Sequence, residues 1–492
     1  MTIDGADELA RAGYAWEIAD APLLHEPLTL ADLAHVLELV RIKAIPPASA
    51  RALAGELLAM LAAPPESVDY SPAFGEMYSS REHHLANRIG DDAGWLHSGR
   101  TRREAMRIAY RILVRRHVVD LVGGAAGLAE ALCDQAAEHL DSVMPDYTYL
   151  QPAEPTTFGH YLASFVDPVL RDGGRLEREF ADVNASPMGS GAASGSALLR
   201  ERTVAGNDLG FDGAIDHVRD AMWQSDPFTH VLLASTTLVL GQDKLAEDLE
   251  VFTSREFDFV ELGDGLVRPS VLMPQKRNPY ALTVIRGMSG ILIGRATGQL
   301  AVSKSPSARS DLYIYAYGEV PRALDLATRT TELSTAVVRT LRVSASRMSA
   351  ALVGRHTGAA ETAAYLVREF GVDYRTAHSI VSQAVRAAGA DAREVTAADI
   401  ATAARTAGIA PVVVTDDRLR ALADPRGVVA SHDGLGGSAA ESMTAFIAER
   451  RMRAEELATW AQGTRRRLDD GEASVVRRAR ELVGEYDDKE IS

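Results

Sequence analysis

The sequence predicts an all-α protein built around a bundle of long helices. Two observations support this fold class. First, the chain contains no internal repeat and no Rossmann or P-loop motif. Second, four long stretches are apolar enough to be buried as helices, and helices that are apolar on most sides must be covered by other structure. These stretches are Ala105 to about Leu140, Asp226–Phe259, Ala281–Val302 and Glu319–Leu341.

The chain is acidic, with 492 residues and a formal net charge of −16. A nucleic-acid binder needs basic patches that contact phosphates, so this charge argues against nucleic acid as a partner. The same charge means that a small anionic substrate must be held by local cations that act against the field of the whole protein.

The composition favours a soluble cytoplasmic protein. The single cysteine, Cys133, excludes a disulfide framework and suits a reducing compartment. No charged segment followed by an apolar core opens the chain, so no signal peptide is expected. The longest apolar runs, such as Val231–Leu240, are too short and too interrupted to span a bilayer, so no membrane partner is expected.

The N-terminal part predicts shorter helices. Thr29–Asp32 has the form of a capping box, and apolar residues follow it at helical spacing. Further helices are expected over Ser49–Ala62 and Ser79–Ile89. The last of these contains two adjacent histidines, which would face different directions on a helix. We therefore expect no metal site there.

A basic, hydroxyl-rich loop leads into the first long helix. It reads H-S-G-R-T-R-R-E from His97 to Glu104. Arginines are less expected at the positive end of a helix dipole unless an anion binds there. Thr101, Arg102 and Arg103 are therefore candidates for binding a substrate carboxylate.

Two further loops carry polar side chains suited to chemistry beside a carboxylate. Tyr147–Pro152 reads Y-T-Y-L-Q-P, and Gly263–Asn278 ends in S-V-L-M-P-Q-K-R-N. Removing a proton beside a carboxylate creates a dianionic species, which lysine, asparagine and backbone N–H groups can stabilise. A serine acts as the base only when it is desolvated and surrounded by donors. The glycines permit loop closure and close backbone approach.

These loops resemble the signatures of the aspartase/fumarase superfamily, and most closely those of argininosuccinate lyase. The segment that starts at Ser270 matches S-x-x-M-P-x-K-x-N. His97–Glu104 is similar to H-T-G-R-S-R-N-D, and the segment from Tyr147 is similar to Y-T-H-L-Q-x-A-Q-P. The resemblance runs from about residue 28 to 460. Enzymes of this superfamily split a C–N or C–O bond by β-elimination and usually release fumarate.

The resemblance implies a three-domain aspartase/fumarase-type fold, in which the long helices form the twenty-helix core of a homotetramer. Each active site then takes three loops from three different subunits. Ser270 is implied to be the base, with Lys276 and Asn278 binding the substrate, while Thr148 and Gln151 keep their places in the second loop. No metal, nucleotide, flavin or other cofactor is implied.

The domain limits follow from the same comparison and from shifts in composition. We expect an N-terminal helical domain over residues 1–104 and the central long-helix bundle over 105–350. A small, alanine-rich C-terminal helical domain is expected over 351–462. The strongly charged residues 463–492 are expected to form a helical extension or tail.

The chain departs from argininosuccinate lyase on the side of the leaving group. Tyr149 stands where that family has a histidine of its general-acid apparatus, and Thr283 stands where it has the glutamate partner of that histidine. Arg103 replaces an asparagine that contacts the substrate carboxylate. The family's tyrosine and glutamine after the core helix correspond, counted without gaps, to Ser310 and Tyr315. The base side is thus retained and the acid side is changed.

We therefore expect a carbon–nitrogen lyase that splits an N-substituted aspartate reversibly into fumarate and an amine. Ser270 is the expected base, and Thr148 and Tyr149 complete the catalytic set. A tyrosine can donate a proton to an amine, and a bound water or no acid at all are the other possibilities. Arg103 adds an anion contact, which suits an aminopolycarboxylate such as ethylenediamine disuccinate.

Three alternatives stay open. The first is an argininosuccinate lyase of arginine biosynthesis. The second is a nitrosuccinate-type lyase, whose leaving group is already a stable anion and needs no acid. The third is an inactive structural homologue, like the crystallins of this superfamily, although such a role needs none of the retained serine-loop residues. The identity of the leaving group decides among the active alternatives.

Overall fold

The computed structural model describes residues 6–390, 393–409 and 412–484. Within them the chain is mainly helical, and its strands are short. The predicted all-α class is therefore confirmed. The apolar side chains gather into a large central cluster, a second cluster in the N-terminal part and a third in the C-terminal part.

Among the described residues, the N-terminal part contains five helices. A π-helical turn, Ala10–Tyr14, joins the first two helices, and a 3-10 segment, Gly90–His97, precedes the bundle. The helices are α1 (Ala6–Leu9), α2 (Ala15–Ile18), α3 (Ala21–Arg41), α4 (Pro47–Ala62) and α5 (Met77–Ile89).

The central part consists of long helices that pack side by side, with shorter helices in their connections. Its helices are α6 (Arg102–Glu138), α7 (Phe158–Ala163), α8 (Val166–Val183), α9 (Arg202–Asp208), α10 (Val218–Trp223), α11 (Asp226–Phe252), α12 (Tyr280–Ser303), α13 (Asp311–Arg339) and α14 (Ala345–Ala350). Helix α6 lies at the centre, because α3, α8 and α13 all pack against it.

The C-terminal part forms a small helical unit followed by one very long helix. The unit has its own apolar core, to which residues of α15, α16 and α17 contribute. The helices are α15 (Ala359–Phe370), α16 (Tyr374–Ala390), α17 (Ala397–Thr406), α18 (Asp416–Ala423), α19 (Pro425–Ser431) and α20 (Ala440–Val483).

Helix α20 returns to the centre of the molecule and packs along α6, α4 and α3. It runs without interruption through the predicted domain limit between residues 462 and 463. Its Val475 and Ala479 are buried in the N-terminal apolar cluster, so its charged C-terminal half is a packed helix. Residues 485–492 of the predicted tail lie outside the described residues, and the domain limits stay a prediction.

The strands form four two-stranded sheets. The pairs β1–β2, β5–β8 and β6–β7 are antiparallel, and β3–β4 is parallel. The strands are β1 (Val143–Thr148), β2 (Gln151–Thr157), β3 (Ala185–Ser186), β4 (Gly213–Ala214), β5 (Val260–Glu261), β6 (Arg268–Pro269), β7 (Arg277–Asn278) and β8 (Arg342–Val343). Two of these pairs carry predicted site residues.

The four long helices appear where the apolar stretches predicted them, with two larger differences at their ends. Helix α11 ends at Phe252, and the predicted extension to Phe259 is instead a turn that leads to β5. Helix α13 begins at Asp311, eight residues before the predicted start. It passes through Pro321, which is buried inside the helix.

The predicted helix start at Thr29–Asp32 is wrong. Helix α3 already begins at Ala21, and Thr29 lies inside it. The Thr29 hydroxyl donates to the carbonyl oxygen of His25, one turn earlier, at 2.7 Å. A threonine within a helix can satisfy its hydroxyl in this way, so a capping pattern alone does not locate a helix start.

Asp32 has a buried electrostatic role instead. Its carboxylate accepts from the guanidinium of Arg81 at 2.9 Å and from that of Arg100 at 2.5 Å. The Tyr78 hydroxyl donates to the same carboxylate at 3.2 Å. The two arginines and Asp32 are almost fully buried. This cluster ties the basic loop before α6 to helices α3 and α5.

In the described part of the chain, every helix is too short or too polar to cross a membrane. In the same residues, no group of three or more His, Cys, Asp or Glu side chains is arranged to hold a metal ion. The cytoplasmic location stays a prediction.

We expect Asp32→Asn to lower the free energy of unfolding by about 3–5 kcal/mol, because it leaves two buried guanidinium cations without a counter-charge. Urea denaturation at one fixed protein concentration measures the change. Asp69→Asn is the matched control, since Asp69 is exposed and its replacement should change stability by less than about 0.5 kcal/mol. Equal denaturation midpoints for the two variants would contradict the role given to Asp32.

Candidate active site

The basic loop is held at the N-terminus of α6 by Thr101. This residue caps the helix, because its hydroxyl oxygen accepts the backbone N–H of Glu104 at 3.3 Å. The same hydroxyl donates to the carbonyl oxygen of Gly191 at 3.1 Å. Thr101 therefore fixes the loop to the turn at residues 187–191, and its hydroxyl is occupied in the structure.

Glu104 completes this attachment. Its carboxylate accepts the backbone N–H groups of Gly189 at 2.6 Å and of Gly191 at 2.7 Å. Burial raises the pKa of Glu104 to about 7, and the Arg100 guanidinium and the two N–H donors oppose this shift. The left-handed φ of 76° at Gly189 suits glycine. The turn is thus a structural support for the loop.

Arg102 and Arg103 leave the first turn of α6 in different environments. The Arg102 guanidinium forms an ion pair with Glu82 at 2.7 Å and donates to the Ser79 hydroxyl at 3.2 Å. The Arg103 guanidinium lies 5.4 Å from the centre of the Trp223 ring. No carboxylate of the described residues lies within 4.0 Å of the Arg103 guanidinium nitrogens, which leaves its charge available to an anion.

Both arginines line a cavity of about 450 Å³ between α2, α5, α6 and α13. The sequence pattern missed most of the other residues that line it. Burial and the nearby Glu76 raise the pKa of Glu17 to about 7. The lining residues that the sequence pattern did not single out include Glu17, Asp20, Glu76, Arg107, Tyr313 and Tyr317.

One signal in the sequence points to this cavity. Arginines recur at every fourth position of α6, at 103, 107, 111 and 115, and residues four apart share one face of a helix.

The ungapped counterparts of the family's tyrosine and glutamine, Ser310 and Tyr315, lie in different surroundings. Ser310 lines the cavity, whereas the Tyr315 hydroxyl donates to the carbonyl oxygen of Arg295 at 3.2 Å.

The second loop is the tip of the β1–β2 hairpin. Thr148 and Gln151 form its last pair, and Tyr149 and Leu150 make the turn. Both turn residues have left-handed backbones, with φ of 54° and 58°. This conformation costs a non-glycine residue roughly 1 kcal/mol or more. Strain of this kind is typical of functional sites.

The hairpin presents Tyr149 to solvent, with 99% of the side chain exposed. Gln151 lines a different cavity, of about 420 Å³, together with Tyr147, Arg347 and Arg355. This second cavity shares no lining residue with the cavity that contains Arg102 and Arg103. Within one chain, the first two loops therefore belong to separate sites.

The third loop, from Ser270 to Lys276, joins β6 to β7 and is strongly exposed. The Ser270 hydroxyl oxygen accepts the backbone N–H of Met273 at 3.0 Å. Across the hairpin, the Ser270 N–H donates to the carbonyl oxygen of Lys276 at 3.3 Å. The Asn278 side-chain amide donates to the carbonyl oxygen of Arg268 at 3.0 Å. The loop thus brings Ser270, Lys276 and Asn278 together.

Thr283 stands where the resemblance implies a glutamate, and the carboxylate of Glu250 lies beside it. The Thr283 hydroxyl donates to Oε1 of Glu250, on the neighbouring helix α11, at 3.1 Å. The Arg286 guanidinium donates to the other oxygen of Glu250 at 2.5 Å. The sequence comparison missed Glu250 because it lies 33 residues before Thr283, and only the pairing of α11 with α12 brings the two together.

Two protein-family models match the chain. One, described as "Lyase", matches residues 75–294, a range that contains all three loops. The other, described as "Argininosuccinate lyase C-terminal", matches residues 356–430, which correspond to the small C-terminal helical unit.

Curated relatives span nearly the whole chain. An argininosuccinate lyase from Methanoculleus marisnigri is 32% identical over 462 residues, which is 92% of each chain. Another from Methanococcoides burtonii is 30% identical over 431 residues, which is 86% of each chain.

Solved structures share the fold. A crystal structure of EDDS lyase in complex with formate has a TM-score of 0.85 at 25% identity, and the match covers 94% of this chain and 92% of that chain. A class II fumarase from Schistosoma mansoni has a TM-score of 0.69 at 12% identity, covering 85% and 91% of the two chains, which shows a likeness of fold alone.

Proposed function

The chain belongs to the aspartase/fumarase superfamily and is an argininosuccinate lyase-like carbon–nitrogen lyase that gives fumarate, and we propose that its substrate is an N-substituted aspartate. In the proposed reaction, a base removes the proton beside a substrate carboxylate. The C–N bond then breaks, with the electron pair leaving on nitrogen. The amine is released with a proton, and the reaction is reversible.

The observation that carries this proposal is the hairpin loop that contains Ser270. Its hydroxyl oxygen already accepts one backbone N–H, at 3.0 Å. Such a donor stabilises a developing alkoxide and so favours loss of the serine proton. Lys276 and Asn278 follow on the same hairpin, where a cation and an amide can stabilise the dianionic intermediate. We assign Ser270 the role of base on this support.

Tyr149 is the proposed acid. Its hydroxyl is free to approach a leaving nitrogen, because the strained hairpin turn holds the side chain away from its own chain. Thr148 and Gln151 flank it and are proposed to contact the substrate. Glu250 accepts a hydrogen bond from the Thr283 hydroxyl. It is the proposed carboxylate that orients the proton-donating groups of the site.

An aminopolycarboxylate such as ethylenediamine disuccinate (EDDS) is the proposed substrate class. Arg103 supports this assignment, because its cation lies at the cavity with no carboxylate partner among the described residues. The likeness to an EDDS lyase supports it too. The second candidate is argininosuccinate, and the names of the curated relatives favour it.

We also propose that the enzyme works as a homotetramer whose active sites are shared by three subunits. The first two loops line cavities that have no residue in common, and residues 270–278 line neither of them, which supports a shared site. Helix α12 also has an uncovered face. Gly287, Gly290 and Gly294 have open space where a Cβ would lie, and Ile291 and Ile293 are each 46% exposed. Small and apolar residues on one face allow close helix packing between subunits.

The substrate is tested by incubating the enzyme with fumarate and one of four partners: ethylenediamine, aspartate, arginine or nitrite. We expect ethylenediamine or aspartate to consume fumarate, because the proposed leaving group is an amine and the cavity offers an additional cation. The decrease in fumarate absorbance measures the rate. Turnover with arginine alone would establish the second candidate, and no turnover with any partner would refute a fumarate-forming lyase that uses these amines.

Ser270→Ala is expected to lower kcat by about 10²–10⁴-fold, the usual contribution of a positioned base. Ser67→Ala, at an exposed serine of the N-terminal part, is the matched control and should keep the wild-type rate. Circular dichroism checks that both variants are folded. A wild-type rate in Ser270→Ala would remove Ser270 from the role of base.

Tyr149→Phe is expected to lower kcat by about 10²-fold or more for an amine leaving group, since it deletes only the proton donor. Tyr374→Phe, at an exposed tyrosine of the C-terminal unit, should leave kcat unchanged. The measurement is the rate of fumarate formation from the substrate that the partner panel identifies. An unchanged kcat in Tyr149→Phe would show that another group protonates the amine.

Shared sites predict complementation between inactive variants. Ser270→Ala and Arg102→Met carry defects in loops that belong to different subunits of one site, so refolded mixtures should regain part of the activity. Ser270→Ala mixed with Lys276→Met is the control, because both changes lie on the same loop and every site stays defective. Recovery in neither mixture, although both assemble, would contradict shared sites. A solution mass equal to one 52.8 kDa chain would contradict the tetramer.

A further inference from the structure

The arginines of α6 form a row along one face of the helix. Arg103, Arg107, Arg111 and Arg115 follow one another at four-residue spacing, and the last three are buried. A buried cation is costly unless other groups satisfy it. The partners of each guanidinium therefore show which of them are structural.

The next two buried arginines, Arg111 and Arg115, donate to oxygen atoms of the protein, although Nε of Arg115 has no hydrogen-bond partner among the described residues. Arg111 donates to the carbonyl oxygens of Asp182 at 2.6 Å and of Val183 at 3.1 Å. Arg115 forms an ion pair with Glu472 at 3.0 Å and donates to the carbonyl oxygen of Leu209 at 2.6 Å. Both side chains bind α6 to other segments, and neither lines the cavity described above.

Arg107 is the third buried arginine of the row. It is only 2% exposed and, like Arg111, it has no carboxylate of the described residues within 4.0 Å of its guanidinium nitrogens. It donates to the carbonyl oxygen of Met222 at 2.9 Å and to the Tyr317 hydroxyl. Its guanidinium carbon lies 3.1 Å from the centre of the Tyr313 ring. Burial lowers the pKa of Arg107 to about 10, an effect that the nearby Tyr313 opposes.

Arg107 also lines the cavity described above, together with Arg102 and Arg103. Arg102 is already paired with Glu82 at 2.7 Å. Arg103 and Arg107 are one helical turn apart, and neither has a carboxylate partner among the described residues. The cavity therefore contains two cations that form no ion pair with a carboxylate of the described residues, although Arg103 is near enough to Glu17 to oppose the rise in its pKa.

Two acidic residues of the cavity, Asp20 and Glu76, are paired with other cations. Asp20 is paired with Arg322 at 2.6 Å. Burial, and after it the nearby Glu76, raise the pKa of Glu17 to about 7, while Arg103 opposes this shift. Glu76 itself lies 3.9 Å from the guanidinium of Arg102. The cavity thus offers cations at α6 and hydrogen-bonding carboxyl groups on the segments opposite it. This pairing suits a ligand that carries both a carboxylate and an amino group.

We propose that Arg107 determines substrate specificity by binding a carboxylate carried by the amine half of the substrate, so that the released amine is itself an amino carboxylate. The proposal deepens the proposed function and rests on it. Arg103 binds the same carboxylate from the rim of the cavity, and Glu17 and Glu76 contact the amino nitrogen. A buried cation left unpaired rejects a ligand that lacks the carboxylate, which gives the cavity its selectivity.

A matched pair of amines tests the proposal. 2,3-Diaminopropionate is ethylenediamine with one added carboxylate. With saturating fumarate, kcat/KM for each amine is measured, and calorimetry measures the binding of each amine to the same enzyme. We expect the wild-type enzyme to prefer 2,3-diaminopropionate by about tenfold or more, since a buried charge pair forms only with that amine.

The variants separate a specificity role from a structural one. Arg107→Met should abolish the preference, and Arg107→Lys, which keeps the charge but loses the planar guanidinium, should reduce it. Arg111→Lys is the control on the same helix face one turn later and should keep the wild-type preference, because the contacts of Arg111 are structural. If Arg107→Met does not fold, the comparison of Arg107→Lys with Arg111→Lys decides the question.

The outcomes distinguish this proposal from the proposed function. A binding preference that depends on Arg107, without turnover of either amine, supports the carboxylate site and rejects the reaction. Turnover with equal preference in the wild type and in the Arg107 variants supports the reaction and overturns the carboxylate site. Absence of any binding preference in the wild-type enzyme overturns the carboxylate site as well.

Discussion

The burial of positive charge along α6 is the constraint on which much of this structure depends. A guanidinium that leaves water must regain its hydrogen bonds inside the protein. Arg115 meets most of this demand through Glu472 of α20, although its Nε has no partner among the described residues. Arg111 donates to carbonyl groups at the end of α8. These bonds attach two other elements to the central helix. Arg107 instead lines a cavity. The buried charges thus serve packing at one end of the row, and at the other end Arg107 is proposed to serve substrate recognition.

The N-terminus of α6 extends the same principle to the loop before it. Asp32 neutralises the buried Arg81 and Arg100, and Glu104 accepts two backbone N–H groups from the turn at residues 187–191. The loop residues are therefore held before any substrate binds, which lowers the entropic cost of binding. In contrast, the Ser270 hairpin and the Tyr149 turn are exposed on a single chain. A subunit thus combines one preorganised surface with two projecting loops, as the proposal of shared sites requires.

Much of the fold and part of the candidate site could be predicted from the sequence. The apolar stretches located the long helices because helix burial leaves a pattern in the chain itself. The Ser270 loop was recognisable because its residues are contiguous. Arg107 and Glu250 were not found, since each acquires its importance from a distant partner: the cavity wall of α13 for Arg107, and Thr283 of α12 for Glu250. The false helix start at Thr29 has a similar cause, because local side-chain bonding fits a helix interior as well as a cap.

The sequence by itself determined the helical class, the superfamily and the reaction type, and it located the Ser270 loop that resembles the superfamily signature, because these depend on periodicity and on contiguous motifs. The tertiary structure decided which charges are satisfied. It showed that Arg102 is paired with Glu82 while Arg103 and Arg107 have no carboxylate partner among the described residues. It also showed that Tyr149 projects from a strained turn. These properties depend on distances between segments far apart in the chain, and electrostatic energy depends on those distances rather than on the order of residues.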